Sequence, residues 1–579
     1  MTATTAVSAL PVETQEEQPQ AETARRRTRP WSWLSVLGGT AAIGAHGSLY
    51  GNWFVDDAAI TFAYSRSIAE GLGPVVQPGA DPVEGFSNPT WTVLLAVGRL
   101  LGLFDHGSLF GVPDYVLFPK GLALLCVAAM LTVCHGVARR VTSRAWLVTL
   151  VVGGLLAVIP SFVIWVFSGL ENSLYALVIV GLAAVLFHAS MDDRLPASKV
   201  AAVAGLLAAT AALTRPEGLI YAGAYPLAVL IHLRRHTLGA SVRGVVVSVL
   251  AFAVPVGAYF TWRYLEFGRL LSNPSVAKAQ GIPEVADLMR SAELVGYAGP
   301  LAVLALAVVL GMALGRSTTW RRGLASLLVP LMLAVIAFAV LKPDWMAQYR
   351  FATPIWALGA LVAVLSAVEV FRNGQRRGRV VLAAGLVMSV VPSVYVFGIH
   401  ARAFNSVPNI SMCYVADRLG RVPNAYADII GATEASILLP DLGGSALTSR
   451  LHLVDLGGLV EPRIADFMKN EDMAGMRDWV FEEVRPTFIH SRSVWGDTGI
   501  SADPRMRDYV QIYRYELPGA PAGDWVRRDA VPDEEALRKL REYADTVVAE
   551  VDHKDVTNVW PSRTCGPTLR PGQTEVGQV

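Results

Sequence analysis

The sequence is poor in charged residues and in cysteine, and each shortage excludes a class of protein. Only 17% of its 579 residues are charged, against about 25% in ordinary soluble domains, whereas 53% are hydrophobic. Four cysteines are too few for a disulfide scaffold. The chain lacks paired C-x-x-C motifs and any long basic run, which argues against structural zinc and nucleic-acid binding. With a formal net charge of +1, the composition indicates a membrane protein.

A polar start precedes many apolar runs. Residues 1–30 are predicted to be a disordered cytoplasmic tail, because they contain no apolar run and end in a cluster of arginines. The next segment, about 32–50, lacks a small-residue cleavage site and is predicted to anchor the chain. Ten further runs approach the ~20 residues that span a bilayer. They lie at about 116–137, 145–160, 173–189, 199–213, 218–233, 244–264, 297–314, 322–341, 352–371 and 380–398.

The basic residues orient these eleven predicted spans, because Lys and Arg mark the cytoplasmic side. They cluster in every second connection, as Arg139, Arg140 and Arg144; Arg194 and Lys199; Arg234, Arg235 and Arg243; Arg316, Arg321 and Arg322; and Arg372, Arg376, Arg377 and Arg379. A span at 89–104 would move all of them outside, so that run is predicted to be a helix in the outer interface. The N-terminus is then cytoplasmic and the C-terminus extracytoplasmic, in a multi-pass plasma-membrane protein.

The composition predicts an all-α polytopic membrane domain at 31–399 and a small extracytoplasmic α/β domain at 400–579. In the second domain, β-like runs at 435–439, 450–456, 487–490 and 510–515 alternate with helix-like runs at 462–469 and 534–551. Cys413 and Cys565 lie near its two ends, and an oxidising compartment would let them pair. Two unpaired buried thiols are the alternative.

Unusual polar residues collect on the outer connections. In chain order these are Asp56, Asp57 and Glu84; residues 168–171; residues 214–217; Asn273, Pro274 and Lys278; and Asp344, Trp345 and Arg350. Charges placed near membrane depth are costly and usually line a functional cavity. Their convergence on one side therefore predicts a site at the outer membrane boundary.

The acidic and the basic residues of this pattern each have a purely structural interpretation as well. Asp56 and Asp57 precede an amphipathic stripe at 58–71, where they would serve as an N-cap and complement the helix dipole. Arg215, Lys278 and Arg350 would only snorkel or pair with nearby acids. Three cations in separate outer loops beside a carboxylate pair better fit a pocket for a lipid-linked phosphate, which Arg grips with two hydrogen bonds.

At residues 56–66, 71–79 and 83–88, the first outer loop resembles that of integral-membrane GT-C glycosyltransferases. The resemblance is greatest to actinobacterial terminal β-(1→2)-arabinofuranosyltransferases, which finish cell-wall arabinan. It extends through 168–171, 214–217, 273–278 and 344–350 to 455–459. Two departures, Gln77 where relatives often have Asn and Pro74 within a usually continuous run, leave the carboxylates untouched.

This resemblance implies a GT-C-like fold and transfer of a sugar from a polyprenyl phosphate, specifically decaprenylphosphoryl-arabinofuranose, to a cell-wall polysaccharide such as arabinogalactan or lipoarabinomannan. Its motifs imply substrate-binding or supporting roles for Tyr64, Glu84, Asn88, Glu171, Glu217, Asn273, Asp344 and Trp345. The alternatives are a transferase that uses another polyprenyl-phosphate sugar, such as mannose, and a transporter of a lipid-linked sugar. A transporter is expected to contain paired half-repeats, and the sequence does not clearly show them.

The predicted chemistry needs one base, because phosphate departs without the protonation that a glycosidase must supply. Asp56 is predicted to be that base and Asp57 to orient it or the acceptor. The alternative is the opposite assignment, with Asp57 as the base. Lys278, Arg350 and Arg215 are predicted to stabilise charge on the departing phosphate. No cofactor is certain, and a divalent cation would find hard oxygen ligands in the Asp pair and Glu84.

Overall fold

The structure is a computed structural model that describes residues 18–278, 281, 284–315, 318–516, 519–557 and 564–576. Its first part is helical and contains one short hairpin, formed by β1 (Ser108–Leu109) and β2 (Val112–Pro113). The helices of this part are α1 (Gln18–Gly47), α2 (Asp56–Ala69), α3 (Pro89–Leu100), α4 (Asp114–Val141), α5 (Ala145–Val158), α6 (Pro160–Val166), α7 (Asn172–Met191), α8 (Ser198–Thr214), α9 (Ala224–Ile231), α10 (Leu238–Phe267), α11 (Asn273–Ala277), α12 (Ser291–Ala298), α13 (Pro300–Leu314), α14 (Thr318–Val340), α15 (Thr353–Asn373) and α16 (Arg376–Ser406).

Several of these helices can cross a bilayer. Among the described residues, the six that are long and apolar enough contain α4, α7, α10, α14, α15 and α16. The α5–α6 and α12–α13 pairs also qualify if each is one span, but they bend by 87° and 103° at Pro160 and Pro300, as expected where proline interrupts a helix. The chain is thus a multi-pass membrane protein, and eleven spans remain a prediction.

Helices α1 and α16 extend across the two predicted domain boundaries, which stay predictions. Helix α1 begins at Gln18, inside the segment 1–30 that is predicted to be disordered. The Ala, Glu, Gln and Arg residues there are good helix formers, and residues 1–17 lie outside the described residues. Disorder of the segment 1–30 stays a prediction. Helix α16 continues through the predicted boundary at 399–400 and ends at Ser406.

Helices α2 and α3 form a short pair that packs against the larger helices. The 12 residues of α3 are too few to span a bilayer, in agreement with the predicted helix at 89–104. The prediction of a single apolar stripe on α2 is wrong, because every residue from Ala58 to Ser67 is buried. Helix α3 covers one side of α2 and the last part of the chain covers another.

The last part of the chain combines a five-stranded sheet with short helices. The sheet contains β3 (Ser436–Leu439), β4 (His452–Asp455), β5 (Phe488–Ser491), β6 (Tyr509–Tyr515) and β7 (Ala522–Arg527), in the spatial order β4-β3-β5-β7-β6. The helices are α17 (Met412–Val415), α18 (Val422–Ile429), α19 (Ser445–Thr448), α20 (Pro462–Lys469), α21 (Met473–Asp478), α22 (Glu534–Tyr543) and α23 (Ala549–Thr557). All four predicted strand runs are confirmed, and the predicted α/β class is correct.

The sheet directs three loops to one edge. Strands β4, β3 and β5 are parallel, whereas β7 pairs antiparallel with β5 and β6. The carboxyl ends of parallel strands meet at the same edge, which is where open α/β sheets commonly place ligand-binding loops. Here the loops after β3 and β4 contact the membrane part through Gly443, Gly444 and Gly458.

A disulfide joins Cys413 to Cys565, which are 152 residues apart. It holds the chain end at 564–576 against the membrane part, where the Tyr115 hydroxyl donates to the carbonyl of Gly566 at 2.7 Å. In the same region, Arg570 Nη1 donates to Asp105 Oδ1 at 3.0 Å. The disulfide therefore stabilises the junction between the sheet and the helices.

We expect the double variant Cys413→Ser/Cys565→Ser to unfold more easily by about 3–5 kcal/mol, because the bridge closes a loop of more than a hundred residues in the unfolded chain. Thermal and denaturant unfolding of the purified protein would measure this loss. A reductant should destabilise the parent to the same level and leave the double variant unchanged. Equal stability of parent and variant under oxidising conditions would contradict the prediction.

Candidate active site

The first turn of α2 carries Asp56 and Asp57 and is held in place by the turn before α7. The Val55 N–H, just before the helix, donates to the carbonyl of Ser168 at 3.2 Å. Gly169 follows with a φ of +88°, and a Cβ at that position would lie 2.9 Å from the Ala58 side chain. Only glycine fits this turn without strain. Residues 168–171 therefore pack against the first turn of α2 and support it.

Asp56 is enclosed between the membrane part and the sheet. Its carboxylate accepts backbone N–H bonds from Gly443 at 2.9 Å and Gly444 at 2.7 Å, in the loop after β3. A Cβ on Gly443 would lie 2.0 Å from the Asp56 carbonyl oxygen, so the approach requires glycine. Burial raises the pKa of Asp56 well above its usual value; the charge of Asp441 adds to this shift, and the two N–H donors oppose it. Asp56 thus joins the two parts of the molecule.

Asp57 is more accessible and faces two of the predicted cations. Its side chain is 20% exposed, and its Oδ2 lies 3.8 Å from Lys278 Nζ and 4.0 Å from Arg350 Nη1. Lys278 directly follows α11 and Arg350 precedes α15, so three separate segments meet here. An ion pair with Asp344 and contact with the Phe351 ring, 4.9 Å from the guanidinium carbon to the ring centre, orient Arg350.

The sheet contributes a further ion pair to this region. Arg492, just after β5, binds Asp441, just after β3, at 2.6 Å. Burial raises the pKa of Asp441; Arg492 opposes this shift, while the negative charge of Asp57 adds to it. Asp441 therefore lies within electrostatic range of Asp57, and Arg492 is its ion-pair partner.

Glu84 lies in a different contact network from the Asp pair. Both of its oxygens are bound by residues of α10. Oε1 accepts the Tyr259 hydroxyl at 2.5 Å and Arg263 Nη2 at 2.9 Å, and Oε2 pairs with Arg263 Nε. Glu84 is therefore not placed to share a divalent cation with the Asp pair. Across the described ranges, no group of three or more His, Cys, Asp or Glu side chains is placed to hold a metal ion.

Two further predicted residues support the segment that carries Lys278. Asn273 donates its backbone N–H to the Glu84 carbonyl at 3.0 Å and its side-chain amide to the Gly458 carbonyl at 2.8 Å. Tyr64 is fully buried, and its hydroxyl accepts the Gly85 N–H at 3.1 Å. Both residues therefore hold backbone at the edge of the site.

Arg215, predicted as a phosphate ligand, is instead enclosed by carboxylates. It binds Glu171 at 2.6 Å and also pairs with Glu217. Glu171 in turn accepts the Asn88 side-chain amide at 2.6 Å. These contacts form a buried ionic network beside the site, and they occupy the guanidinium that a phosphate would need. Its prediction as a phosphate ligand is therefore corrected to a supporting role.

The remaining predicted positions differ in exposure. Trp345 is 56% exposed, next to the Asp344–Arg350 pair. Asp455 is fully buried and accepts backbone N–H bonds from Gly457, Leu459 and Val460, closing the loop after β4. Burial raises the pKa of Asp455 to about 7, against the opposing effect of these donors.

Asp441 and Arg492 are the site-edge residues that sequence patterns missed. A signal for the first was present, because Asp-Leu-Gly-Gly occurs at 441–444 as well as at 455–458. Each copy coincides with the end of a predicted strand, where loops of a parallel sheet gather. Arg492 carries no comparable pattern, since its position depends on the pairing of β5 with β3.

Known structures share this architecture. An oligosaccharyltransferase of Archaeoglobus fulgidus in the apo form superposes with a TM-score of 0.50 at 11% identity, covering 88% of this chain and 78% of that one. ArnT of Cupriavidus metallidurans, bound to undecaprenyl phosphate, gives 0.50 at 12% identity, covering 88% and 100%. Neither a protein-family model nor a curated protein sequence matches the chain. The structural neighbours show that the chain has the fold of integral-membrane GT-C glycosyltransferases.

We expect stability to depend on the titration of Asp455. Its pKa rises on folding from 3.8 to about 7, so the folded state binds the proton more tightly than the unfolded chain does. The free energy of unfolding should therefore fall as pH rises from about 4 to about 7, by up to about 4 kcal/mol, and then level off. Asp455→Asn should lack this component when unfolding is followed from pH 4 to 8.

Other buried acids contribute equally to both proteins, so the difference between the two pH curves isolates Asp455. Parallel curves for parent and variant would show that the carboxyl group does not titrate in this window.

Proposed function

We propose that this protein transfers arabinofuranose from a polyprenyl-phosphate donor to a cell-wall polysaccharide on the outer face of the membrane, by a single inverting displacement. The observation that supports this proposal most is the position of Asp57. It is the accessible carboxylate of the first outer loop, and it lies beside Lys278 and Arg350 where the helices meet the sheet edge. The fold supports the enzyme class, and the sequence resemblance supports the choice of sugar.

Asp57 is the better candidate for the general base. A base must reach the acceptor hydroxyl, and Asp57 is partly exposed whereas Asp56 is 3% exposed with both oxygens bound to backbone. In the proposed step, Asp57 takes the hydroxyl proton while the acceptor oxygen bonds to the anomeric carbon. The bond from that carbon to the phosphate oxygen breaks, and the electron pair leaves with the polyprenyl phosphate. Asp56 acts as a positioning residue.

Lys278 and Arg350 stabilise the departing phosphate in this proposal. Their charges face Asp57 at 3.8 and 4.0 Å, distances that leave room for phosphate oxygens to form closer bonds. Arg350 is oriented in advance by Asp344, which reduces the reorganisation needed when negative charge develops. The exposed Lys278 side chain is free to follow the donor as it enters.

The remaining parts of the proposal concern sidedness and domains. The N-terminus is cytoplasmic, the membrane domain extends to Ser406, and the part from Met412 onward is extracytoplasmic. Two features support this arrangement: the arginine-rich connections lie on the opposite side from Asp57 in the predicted topology, and the Cys413–Cys565 disulfide suits an oxidising compartment. The apolar surface near α2 would hold the prenyl chain, and the sheet edge would face the acceptor.

We expect Asp57→Asn to lower the rate of sugar transfer at least 100-fold with little change in thermal stability, because the variant loses the base but no buried bond. The assay uses purified protein, synthetic polyprenyl-phosphate-arabinose or -mannose, and a short arabinan oligosaccharide. Asp81→Asn, an exposed carboxylate in the same loop, is the matched control and should be unaffected.

Asp56→Asn should instead lower stability by about 1–3 kcal/mol, because one side-chain N–H would oppose a backbone donor. Full transfer by Asp57→Asn would remove the proposed base. Preferred transfer of mannose would contradict the proposed sugar while leaving the enzyme class intact. No transfer from either donor by the folded parent would contradict the proposed activity.

We expect Asp81→Cys to react with a membrane-impermeant maleimide in intact cells, and Arg377→Cys only after permeabilisation. The native cysteines provide a low background, since Cys126 and Cys134 are buried and the other two are bridged. Arg377 lies at the start of α16, whose other end is close to the segment that binds Asp56. The reverse labelling pattern would contradict the proposed orientation.

A further inference from the structure

A polar cavity lies at the far end of the helices from Asp57. Helix α7 relates the two places, because Asn172 at its start donates to the Arg350 carbonyl at 2.9 Å. Its 20 residues rise by about 30 Å, the thickness of the hydrocarbon core. The cavity adjoins its other end and has a volume of about 160 Å³. Its charged and imidazole lining consists of Asp193, His232, Arg234, His236 and Arg322.

The charges around this cavity do not balance. Arg234 and Arg322 come from separate segments, yet both pair with the same oxygen, Oδ1 of Asp193. One carboxylate therefore serves two guanidinium groups, and the lining keeps a surplus positive charge even with both imidazoles neutral. An anion in the cavity would supply the second negative charge.

The lining also presents one hydrogen-bond donor for which the described residues offer no acceptor. Arg322 Nε is buried, and within the described part of the chain it has no hydrogen-bond partner. Buried N–H groups are normally satisfied, so this one points to a ligand or ordered water. The lining residue His232 is held by Ser326, with 3.0 Å between His232 Nε2 and Ser326 Oγ.

We propose that this cavity binds the phosphate group of an anionic phospholipid in the leaflet opposite the active site. The volume exceeds what a single water needs, and arginine is suited to phosphate. The position at the helix ends, one hydrocarbon thickness from Asp57, is the depth at which lipid headgroups lie. Free phosphate shares the same chemistry, but the depth favours a lipid. This proposal is independent of the sugar that the protein transfers.

The test is a titration of the purified full-length protein with phosphatidylglycerol, phosphatidylcholine or inorganic phosphate, followed by native mass spectrometry and thermal unfolding. Phosphatidylglycerol should bind at least about tenfold more tightly than phosphatidylcholine and raise the unfolding temperature. Arg322→Gln and Arg234→Gln should each weaken its binding about tenfold. Arg377→Gln, an exposed cation outside the cavity at the same end of the bundle, should bind like the parent.

An unfolding temperature in phosphatidylcholine equal to that of the parent shows that a variant is folded. Arg234 is about half exposed, so Arg234→Gln should disturb folding less than Arg322→Gln. It can therefore be tested for lipid binding even if Arg322→Gln fails to fold. Equal binding of the two lipids, or an equal loss in Arg377→Gln, would overturn the proposal. A rise in unfolding temperature with inorganic phosphate but not with phosphatidylglycerol would assign the cavity to free phosphate and overturn the lipid assignment.

Discussion

The contact between Asp56 and the backbone of Gly443 and Gly444 is the constraint on which the candidate site depends. It joins the first turn of α2 to the loop after β3. A Cβ on Gly443 would lie 2.0 Å from the Asp56 carbonyl oxygen, and one on Gly444 would lie 2.2 Å from the Met412 carbonyl oxygen, so the contact requires both glycines. With Asp56 turned into this junction, the next residue along the helix faces a different direction. Asp57 is thereby left partly exposed beside Lys278 and Arg350.

The surrounding charges differ in how closely they are paired. Arg215 and Arg263 are buried, and each binds a carboxylate, at 2.6 and 2.9 Å. Such pairs satisfy charges that would otherwise be costly in an apolar setting, so they hold segments in place. The contacts of Asp57 are longer, at 3.8 and 4.0 Å. Close pairing therefore surrounds the site, and looser pairing marks the place where a phosphate would add the missing interactions.

Sequence patterns predicted the secondary-structure elements better than they predicted the contacts between residues. The strands β3 to β6 were predictable because each is a short apolar or alternating run, whereas β7, with the sequence Ala-Gly-Asp-Trp-Val-Arg, has no such alternation. The convergence of Asp57, Lys278 and Arg350 was also expected, because the basic clusters predict a common side of the membrane for their loops. Glu84 and Arg215 share that side, but their partners on α10 and before α7 are distant in sequence, so their supporting contacts had no local signal.

By itself, the sequence determined the membrane class and the strands that follow, and it predicted that the polar loops gather on one side, because hydropathy, basic clusters and alternation are properties of short segments. Only the tertiary structure decided which of two adjacent aspartates is buried. That choice depends on Gly443 and Gly444, nearly four hundred residues along the chain, approaching Asp56 and leaving Asp57 exposed. Local patterns cannot contain this information, since the hydrogen-bond donors reach the helix only after the sheet has docked on it.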